Sequence, residues 1–211
     1  MQPFKTITGA AVPLLQANVD TDVIVRIQRL TGNADLGHYA FEALRYLPDG
    51  SVNPDCVFNQ PRFANAPILL AGRNFGCGSS REGAVTALMA MGVRCVIAPS
   101  FGDIFFANCF RNGVLPIVLD EASIARLADS TELAVDLEQQ SISASGKAFH
   151  FSVDALQREG LLEGLDEIGV TLKGADEIAA WQSMDRVQRP WVGKRRKSKC
   201  NGEHRTSSDQ S

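Results

Sequence analysis

Residues 73–82, Arg-Asn-Phe-Gly-Cys-Gly-Ser-Ser-Arg-Glu, bring hydroxyls, guanidiniums and two glycines together in one short stretch. An apolar run at 67–71 precedes it and a small-residue helical pattern at 83–91 follows it, which predicts a strand, a glycine loop and a helix. The first amides of a helix have no partner within the helix, and the helix dipole adds partial positive charge there. The stretch therefore predicts an anion site for a carboxylate or phosphate, with a hydroxyl available for proton transfer.

Three known motifs do not fit this stretch. A phosphate-binding P-loop needs Lys followed by Ser or Thr after the second glycine. A dinucleotide-binding loop needs glycine where Arg81 stands, and a serine-hydrolase elbow around Ser80 needs glycine where Glu82 stands. Because a helix N-terminus favours thiolates, Cys77 with His38 as its base is an alternative nucleophile.

Ser79 and Glu82 also have the spacing of a capping box, in which a serine hydroxyl accepts from backbone amides at a helix start. This structural role is compatible with chemistry. A serine held among amide donors and near Arg81 has its alkoxide form stabilised and can act as a base. Arg81 can hold a substrate carboxylate through two parallel hydrogen bonds.

The composition is that of an ordinary globular protein. The chain has 211 residues, 45% of them apolar and 21% charged, and a net charge of −3, which predicts no general attraction to nucleic acid or membranes. No apolar run reaches the ~20 residues of a membrane span, and residues 1–10 do not resemble a signal peptide, so we expect a cytoplasmic protein. Three histidines and five scattered cysteines offer no metal-ligand spacing, which predicts reduced and mostly buried thiols and no metal on this chain.

The pattern of apolar residues predicts an α/β fold. Strands are expected in residues 4–16, at 23–25, 67–71, 93–98 and 114–119, and in a hairpin region at 133–137, 141–144 and 148–153. Helices are expected around 38–47 and at 80–91, 102–112, 121–129, 154–162 and 175–189. Alternation of strands and helices between residues 67 and 119 predicts a parallel sheet with crossover helices. Residues 1–192 are predicted to be one domain, and 193–211 a disordered basic and polar tail.

Two further positions carry candidate charges. Asp20 and Asp22 flank a threonine, which favours a polar turn with side chains bonded to nearby amides; the alternative is a carboxylate pair facing an active site. Residues 28–66 are irregular apart from the helical stretch that contains Arg45. Long irregular segments of this kind are often binding loops, although Arg45 could equally be a surface cation with a packed stem.

Several blocks of the chain resemble one protein family, the small subunit of bacterial 3-isopropylmalate dehydratase, which corresponds to the swivelling domain of aconitase. The matching blocks lie in order along residues 1–190: the glycine loop at 76–82, Asn-Val-Asp-Thr-Asp at 18–22, Arg-Tyr at 45–46, residues 96–101, 103–105, 115–116 and 135–137, and Gly-Leu-Asp-Glu-Ile-Gly at 164–169.

The resemblance implies a swivelling β/β/α domain and a heteromeric hydro-lyase, a heterodimer or heterotetramer with a large subunit. The large subunit would carry a 4Fe-4S cluster whose iron binds the departing hydroxyl of a small dicarboxylate in leucine biosynthesis. By the same resemblance, Ser79 would remove the proton from carbon, with Ser80 and Gly78 beside it. Arg81 and Arg45 would hold carboxylates, while Asp20, Asp22 and Arg73 would lie near the cleft.

Two residues depart from the family pattern. Gly83 replaces the usual histidine after Ser-Ser-Arg-Glu, and Arg26 replaces a proline. Gly83 removes a polar side chain near the loop, and Arg26 adds a cation near the expected cleft. They leave two alternatives open: a related hydro-lyase subunit for another dicarboxylate, such as a methylmalate, citraconate or dimethylmaleate, and an anion-binding module without catalysis.

Overall fold

The computed structural model describes residues 1–30, 35–78 and 82–192. Its strands are β1 (Thr6–Gly9), β2 (Ala11–Leu14), β3 (Ile68–Ala71), β4 (Cys95–Ala98), β5 (Leu115–Val118), β6 (Leu133–Asp136), β7 (Ser141–Ala144) and β8 (Lys147–His150). Its α-helices are α1 (Thr21–Ile24), α2 (Leu36–Tyr39), α3 (Glu42–Arg45), α4 (Gly83–Ala90), α5 (Asp103–Asn112), α6 (Glu121–Ala128), α7 (Ala155–Glu163), α8 (Glu167–Leu172) and α9 (Ala175–Gln188). Single 3-10 turns lie at Ile27–Arg29, Val57–Asn59 and Pro61–Phe63.

The contacts divide the chain into two compact units, Met1–Val170 and Thr171–Ser211. The first unit holds both sheets and the glycine loop. In the second, α9 has Asp176 and Glu177 in its first turn, as the sequence predicts, because carboxylates stabilise the positive end of a helix. No helix in the described part of the chain is long and apolar enough to cross a membrane. The basic tail predicted at 193–211 lies outside the described residues.

The parallel sheet predicted from the strand–helix alternation is confirmed, with strand order β2-β3-β4-β5. Ile68 of β3 pairs with Cys95 of β4, and Cys95 pairs in turn with Leu115 of β5. All four residues of β3 and all four of β4 are buried. Burial on both faces explains why these strands are continuous apolar runs in the sequence.

The predicted hairpin region is confirmed as part of a second, antiparallel sheet with strand order β1-β6-β7-β8. The turn between β7 and β8 contains Gly146 at φ +77°, a conformation that glycine adopts without strain. β1 pairs along the outer side of β6. The sequence does not indicate this pairing, because it joins segments more than 120 residues apart.

Two apolar layers separate the sheets and helices. In β3, Ile68 and Leu70 pack with Leu133, Val135 and Ile142 of the antiparallel sheet. The intervening residues of β3 pack on the other face, against Leu88 of α4 and other helical residues. The alternation places the parallel sheet in the middle, with the antiparallel sheet, α6 and α7 on one face and α1 and α4 on the other, and so confirms the β/β/α arrangement.

Four predictions about elements are wrong. Residues 4–16 form two strands rather than one, and residues 23–25 are not a strand but end the single turn of α1. The stretch expected to be one helix, 38–47, is interrupted at Phe41, which has φ +53° and is fully buried. The chain bends there so that the Phe41 ring can stack on Phe58, with 4.3 Å between ring centroids. The fourth error is α8, which the sequence pattern does not predict.

Candidate active site

The glycine loop is held on one side by the segment that follows β2. The Gly76 amide donates to the Val19 carbonyl at 2.8 Å, and the Thr21 amide donates to the Cys77 carbonyl at 2.9 Å. Asp20 and Cys77 form an isolated parallel bridge. These bonds continue the β2–β3 pairing beyond the ends of both strands, so the position of the loop is set by the sheet.

The segment that follows β4 holds the other side of the loop. The Phe75 amide donates to the Ser100 carbonyl at 3.1 Å, and the Gly102 amide donates to the Phe75 carbonyl at 2.9 Å. The Ser100 hydroxyl accepts from the Asn74 amide at 2.9 Å. The loop therefore lies as a middle strand between two neighbours, and most of its anchoring bonds join backbone atoms.

Gly76 is required by its conformation and its surroundings. Its φ is +69°, and a side-chain carbon at this position would lie 2.2–2.6 Å from three ring atoms of Phe105. Phe105 is almost completely buried and packs edge-on against Phe75 at 5.4 Å. The loop can therefore approach α5 closely only where the side chain is a hydrogen atom.

Asp20 lies beside the point where the loop reaches the serines. It precedes α1 as its N-cap, and its Oδ1 accepts from the Val23 amide at 2.8 Å. This is the polar turn that the sequence favours at this position. A side-chain carbon at Gly78 would lie 3.4 Å from Asp20 Cβ, so the Asp20 side chain and the loop are in contact range. Asp20 and the exposed Asp22 line one open cleft, of about 410 Å³.

Ser79, Ser80 and Arg81 lie outside the described residues. The structure describes the chain on either side of them: Gly78 beside Asp20, and then Glu82 immediately before α4. The helix predicted from about Ser80 is described from Gly83 onward, and the Glu82 side chain makes no capping hydrogen bond. The three residues therefore connect the sheet-anchored loop to the N-terminus of α4, which supports the predicted strand–loop–helix order.

Arg45 is held by backbone carbonyls. Its Nη1 donates to the carbonyls of Gly37 at 2.8 Å and Ala40 at 3.2 Å, and its Nε donates to Asn59 Oδ1 at 3.4 Å. These bonds tie α2 and α3 to the loop around residue 59. Arg45 thus has a structural role, which the sequence did not indicate because its partners lie on two separate segments, α2 with its C-cap and the turn at Val57–Asn59.

Arg73 lies in a different cleft from the two aspartates. Its Nε is 3.9 Å from Glu121 Oε1 on α6, and both side chains are 69% exposed. The two residues line a cleft of about 220 Å³ at the carboxyl ends of the parallel strands, together with Leu15 and Pro99. Among the predicted site residues, the structure brings Asp20, Asp22 and Gly78 together and places Arg73 separately.

Gly83, one of the two departures from the family pattern, is in tight contact with Leu30. A side-chain carbon at Gly83 would lie 2.4 Å from Leu30 Cδ2. Leu30 thus occupies the space that a side chain at this position would need. The contact joins the first residue of α4 to the end of the segment that begins at Arg26.

Arg26, the other departure, lines the same cleft as Asp20 and Asp22. It therefore adds a cation to this cleft. Its partner is Glu42, whose Oε1 lies 3.4 Å from the Arg26 Nε; Arg29 donates to the other oxygen of Glu42 at 3.0 Å. Arg29 and Glu42 were not identified from the sequence, because their contact spans 13 residues and no helical spacing relates them.

The four cysteines within the described residues are free. Burial raises the pKa of the Cys95 thiol and of the Cys109 thiol, which makes both poor nucleophiles. Cys77 is half-buried, and in the described part of the chain no hydrogen bond joins it to His38, whose Nδ1 instead lies 3.2 Å from the Tyr46 hydroxyl.

No group of three or more His, Cys, Asp or Glu side chains among the described residues could hold a metal ion, so these residues do not fit an iron–sulfur cluster.

Comparison with known proteins identifies the class of this fold. The family model of the aconitase C-terminal domain matches residues 1–122. The chain is 46% identical to the 3-isopropylmalate dehydratase small subunit of Hahella chejuensis, over 91% of this chain and 98% of that protein. It is also 46% identical to the protein of the same name from Paramagnetospirillum magneticum, over 91% of this chain and all of that one.

A solved structure agrees with these relatives. The crystal structure of 3-isopropylmalate dehydratase from Methanocaldococcus jannaschii covers 84% of this chain and 99% of its own, with a TM-score of 0.61 and 26% identity. The chain belongs to the aconitase C-terminal domain family, in the group of 3-isopropylmalate dehydratase small subunits. The family resemblance predicted from the sequence is thereby confirmed.

Gly76→Ala tests the close approach of the loop to α5. Gly76 and Gly146 both have φ near +70°, but nothing lies within 4 Å of a side-chain carbon at Gly146. Both alanine variants pay the left-handed backbone cost of about 1–2 kcal/mol, and Gly76→Ala must also displace the Phe105 ring. We expect urea unfolding to show Gly76→Ala less stable than Gly146→Ala by about 1–3 kcal/mol. Equal losses of unfolding free energy in the two variants would show that the Phe105 ring does not constrain position 76.

Gly83→Ala tests the contact with Leu30. The new methyl group must displace the end of the Leu30 side chain, whereas alanine gains helix propensity over glycine. The change in the free energy of unfolding should therefore be less favourable in the Leu30 background than when Leu30 is replaced by alanine. We expect a coupling of about 0.5–2 kcal/mol in the double-mutant cycle measured by urea unfolding. As the matched control, Gly146→Ala and Leu30→Ala should be additive. If the effects of Gly83→Ala and Leu30→Ala on the free energy of unfolding are also additive, the contact is contradicted.

Proposed function

We propose that this chain is the small subunit of a hydro-lyase that interconverts 2-isopropylmalate and 3-isopropylmalate by dehydration and rehydration in leucine biosynthesis. The observation that carries the proposal is the 46% identity, over nearly the whole length of both chains, to proteins named as this subunit. The anchored glycine loop supports it, because the loop leads into the N-terminus of an eight-residue helix, where amide donors attract carboxylates.

In the proposed mechanism, Ser79 is the base that takes a proton from a substrate carbon. Its alkoxide is stabilised by the first amides of α4 and by the Arg81 guanidinium, which also binds a substrate carboxylate. Ser80 is the proposed second hydroxyl donor, next to Ser79 in the chain. The C–H bonding electrons form the double bond, and the hydroxyl leaves from the neighbouring carbon with the electrons of its C–O bond, for which the large subunit's cluster would supply a Lewis acid. Water then adds to the double bond in the opposite orientation, and Ser79 returns its proton to the other carbon. The backbone pairing of Gly76 and Cys77 supports these roles, because it fixes the position of the loop that precedes the serines in the sequence.

Arg45 is proposed to bind a second carboxylate of the substrate. Its Nη1 and Nε are engaged by Gly37, Ala40 and Asn59, and these bonds fix the plane of the guanidinium. A fixed guanidinium loses little conformational entropy when it binds a carboxylate. The carbonyl bonds would then orient Arg45 for binding, in addition to tying α2 to α3.

The remaining parts of the active site are proposed to lie on a partner. The described residues do not fit a 4Fe-4S cluster, so we place the cluster on a large subunit that pairs with this chain as a heterodimer or heterotetramer. The name small subunit, which the relatives carry, supports such a partner. The substrate would be bound between the two chains, in the cytoplasm, where enzymes of amino-acid biosynthesis act.

A related substrate is the second candidate, and Arg26 is the observation that favours it. This cation lines the cleft beside Asp20 and Asp22, and an exposed guanidinium at that position suits a substituent that is smaller than isopropyl and has less apolar surface. A hydro-lyase for methylmalate, citraconate or dimethylmaleate would use the same loop and the same base. The two candidates differ only in the substrate that gives the highest kcat/KM.

A substrate panel tests the proposal. The chain is combined with its large subunit under anaerobic conditions and assayed for hydration and dehydration of 3-isopropylmalate, methylmalate, citraconate and dimethylmaleate. We expect 3-isopropylmalate to give the highest kcat/KM, and the chain alone to be inactive. A higher value for a smaller dicarboxylate would establish the second candidate instead. Inactivity of the complex with the whole panel would reject both and favour an anion-binding module without catalysis.

Ser79→Ala tests whether Ser79 acts as the general base or only caps α4. In the reconstituted complex, kcat should fall by about 100-fold or more while KM changes little, because removal of a general base affects the proton transfer rather than binding. Ser79→Thr retains a hydroxyl and serves as the control, with partial activity expected. Normal turnover by Ser79→Ala would show that the base is another residue and that Ser79 only caps α4.

A further inference from the structure

Glu42 of α3 is a largely buried carboxylate with two cations beside it. Its side chain is 13% exposed, and its Oε2 accepts from Arg29 Nε at 3.0 Å. Its Oε1 is inaccessible to solvent and makes no hydrogen bond in the described part of the chain, although Arg26 Nε lies 3.4 Å away. A buried carboxylate oxygen without a hydrogen bond is unfavourable, and the charge of Arg26 nearby offsets part of that cost.

The two arginines carry more charge than Glu42 neutralises. One carboxylate holds two guanidiniums close together, which leaves an excess of one positive charge. Both contacts with Glu42 are made through Nε. The Nη groups form the outer side of each guanidinium, and the Arg26 and Arg29 side chains are 56% and 42% exposed. Arg26 also lines the neighbouring cleft beside Asp20 and Asp22. A small anion can lower the repulsion between the arginines by accepting from the Nη groups.

A cleft of about 590 Å³ receives both guanidiniums, and aromatic side chains form its walls. Arg29 lies 4.3 Å above the ring of Tyr39, which orients the guanidinium through a cation–π contact. Tyr46 lines the cleft and brings a hydroxyl within 3.2 Å of His38 Nδ1. The cleft thus combines oriented cations, hydroxyl groups and an open volume suited to a small ligand.

We propose that Arg26 and Arg29, held together by Glu42, form a carboxylate-binding site in this cleft, with Tyr39 and Tyr46 as its walls. The ligand is a small mono- or dicarboxylate bound through the Nη groups of both arginines. Guanidinium and carboxylate match in their planar, two-pronged geometry, which favours a carboxylate over a spherical anion such as chloride. The site belongs to this chain alone, and its test measures binding rather than turnover. It shares Arg26 with the neighbouring cleft that holds Asp20 and Asp22.

The site is tested by titrating the isolated full-length chain with malonate, with binding measured by calorimetry and by the NMR signals of the arginine Nε–H groups. Arg26→Gln and Arg29→Gln should each weaken malonate binding by about fivefold or more, because each removes a charged donor pair. In the wild-type chain, the Arg29 Nε–H signal should shift as malonate saturates the site. A tenfold higher sodium chloride concentration should weaken binding without abolishing it.

Arg62→Gln is the matched control. Arg62 also lies over an aromatic ring, 4.5 Å from the centroid of Phe63, but it is not among the residues that line the cleft. This variant should bind malonate as the wild type does. Wild-type binding by Arg26→Gln and Arg29→Gln, or equal weakening by Arg62→Gln, would overturn the site.

Arg81→Gln distinguishes this cleft from the start of α4, which also attracts carboxylates. Retention of malonate binding and of the Arg29 Nε–H shift in Arg81→Gln supports the proposed site. Loss of binding in Arg81→Gln, together with an unchanged affinity in Arg29→Gln, overturns it and assigns malonate to the helix start. Because no turnover is measured, the outcome is independent of whether the complex acts on 3-isopropylmalate.

Discussion

The backbone pairing of the glycine loop is the interaction on which the rest of the site depends. Residues 75–77 donate to and accept from the segments that follow β2 and β4, so the loop behaves as an extension of β3 beyond the end of the strand. This geometry requires a parallel sheet with β3 between two neighbours, and that sheet requires apolar layers on both of its faces. The β/β/α arrangement is therefore a condition for placing Gly78 beside Asp20 and for directing the chain into α4.

The sequence predicts the elements whose signals are local. The buried strands β3, β4 and β5 are continuous apolar runs bounded by glycine or proline, and α5 and α6 have clear helical periodicity, so their bounds are nearly correct. Errors arise where tertiary contacts override local preference. The β-branched residues after Asp20 suggest a strand, but the Asp20 side chain caps a helical turn. Phe41 lies in a helical pattern, but burial of its ring against Phe58 breaks the helix. The place of β1 in the antiparallel sheet is a long-range pairing without a local signal.

The candidate site likewise has parts that the sequence predicts and parts that it does not. The glycine loop, the turn at Asp20 and the cation at Arg26 follow from residue types and from the family resemblance, and the structure brings Asp20, Asp22, Gly78 and Arg26 into one region. The partners of Arg45 and the Arg26–Glu42–Arg29 cluster could not be predicted. Each joins residues from separate irregular segments, and single charged residues in such segments have no periodicity from which their contacts could be inferred. The contact of Gly83 with Leu30 gives a steric reason for the glycine that the sequence left without an explanation.

Anchoring through backbone atoms has a consequence for how this protein can diverge. Four of the bonds that hold the glycine loop join amides and carbonyls, which every residue other than proline supplies, so most side chains around the loop are free to change without moving it. Gly76 and Gly102 are exceptions, because a side-chain carbon at 76 would meet the Phe105 ring and one at 102 would meet the Gly76 carbonyl. A lineage can therefore exchange side chains around the loop one at a time, as Arg26 illustrates, while the position of the loop is inherited unchanged.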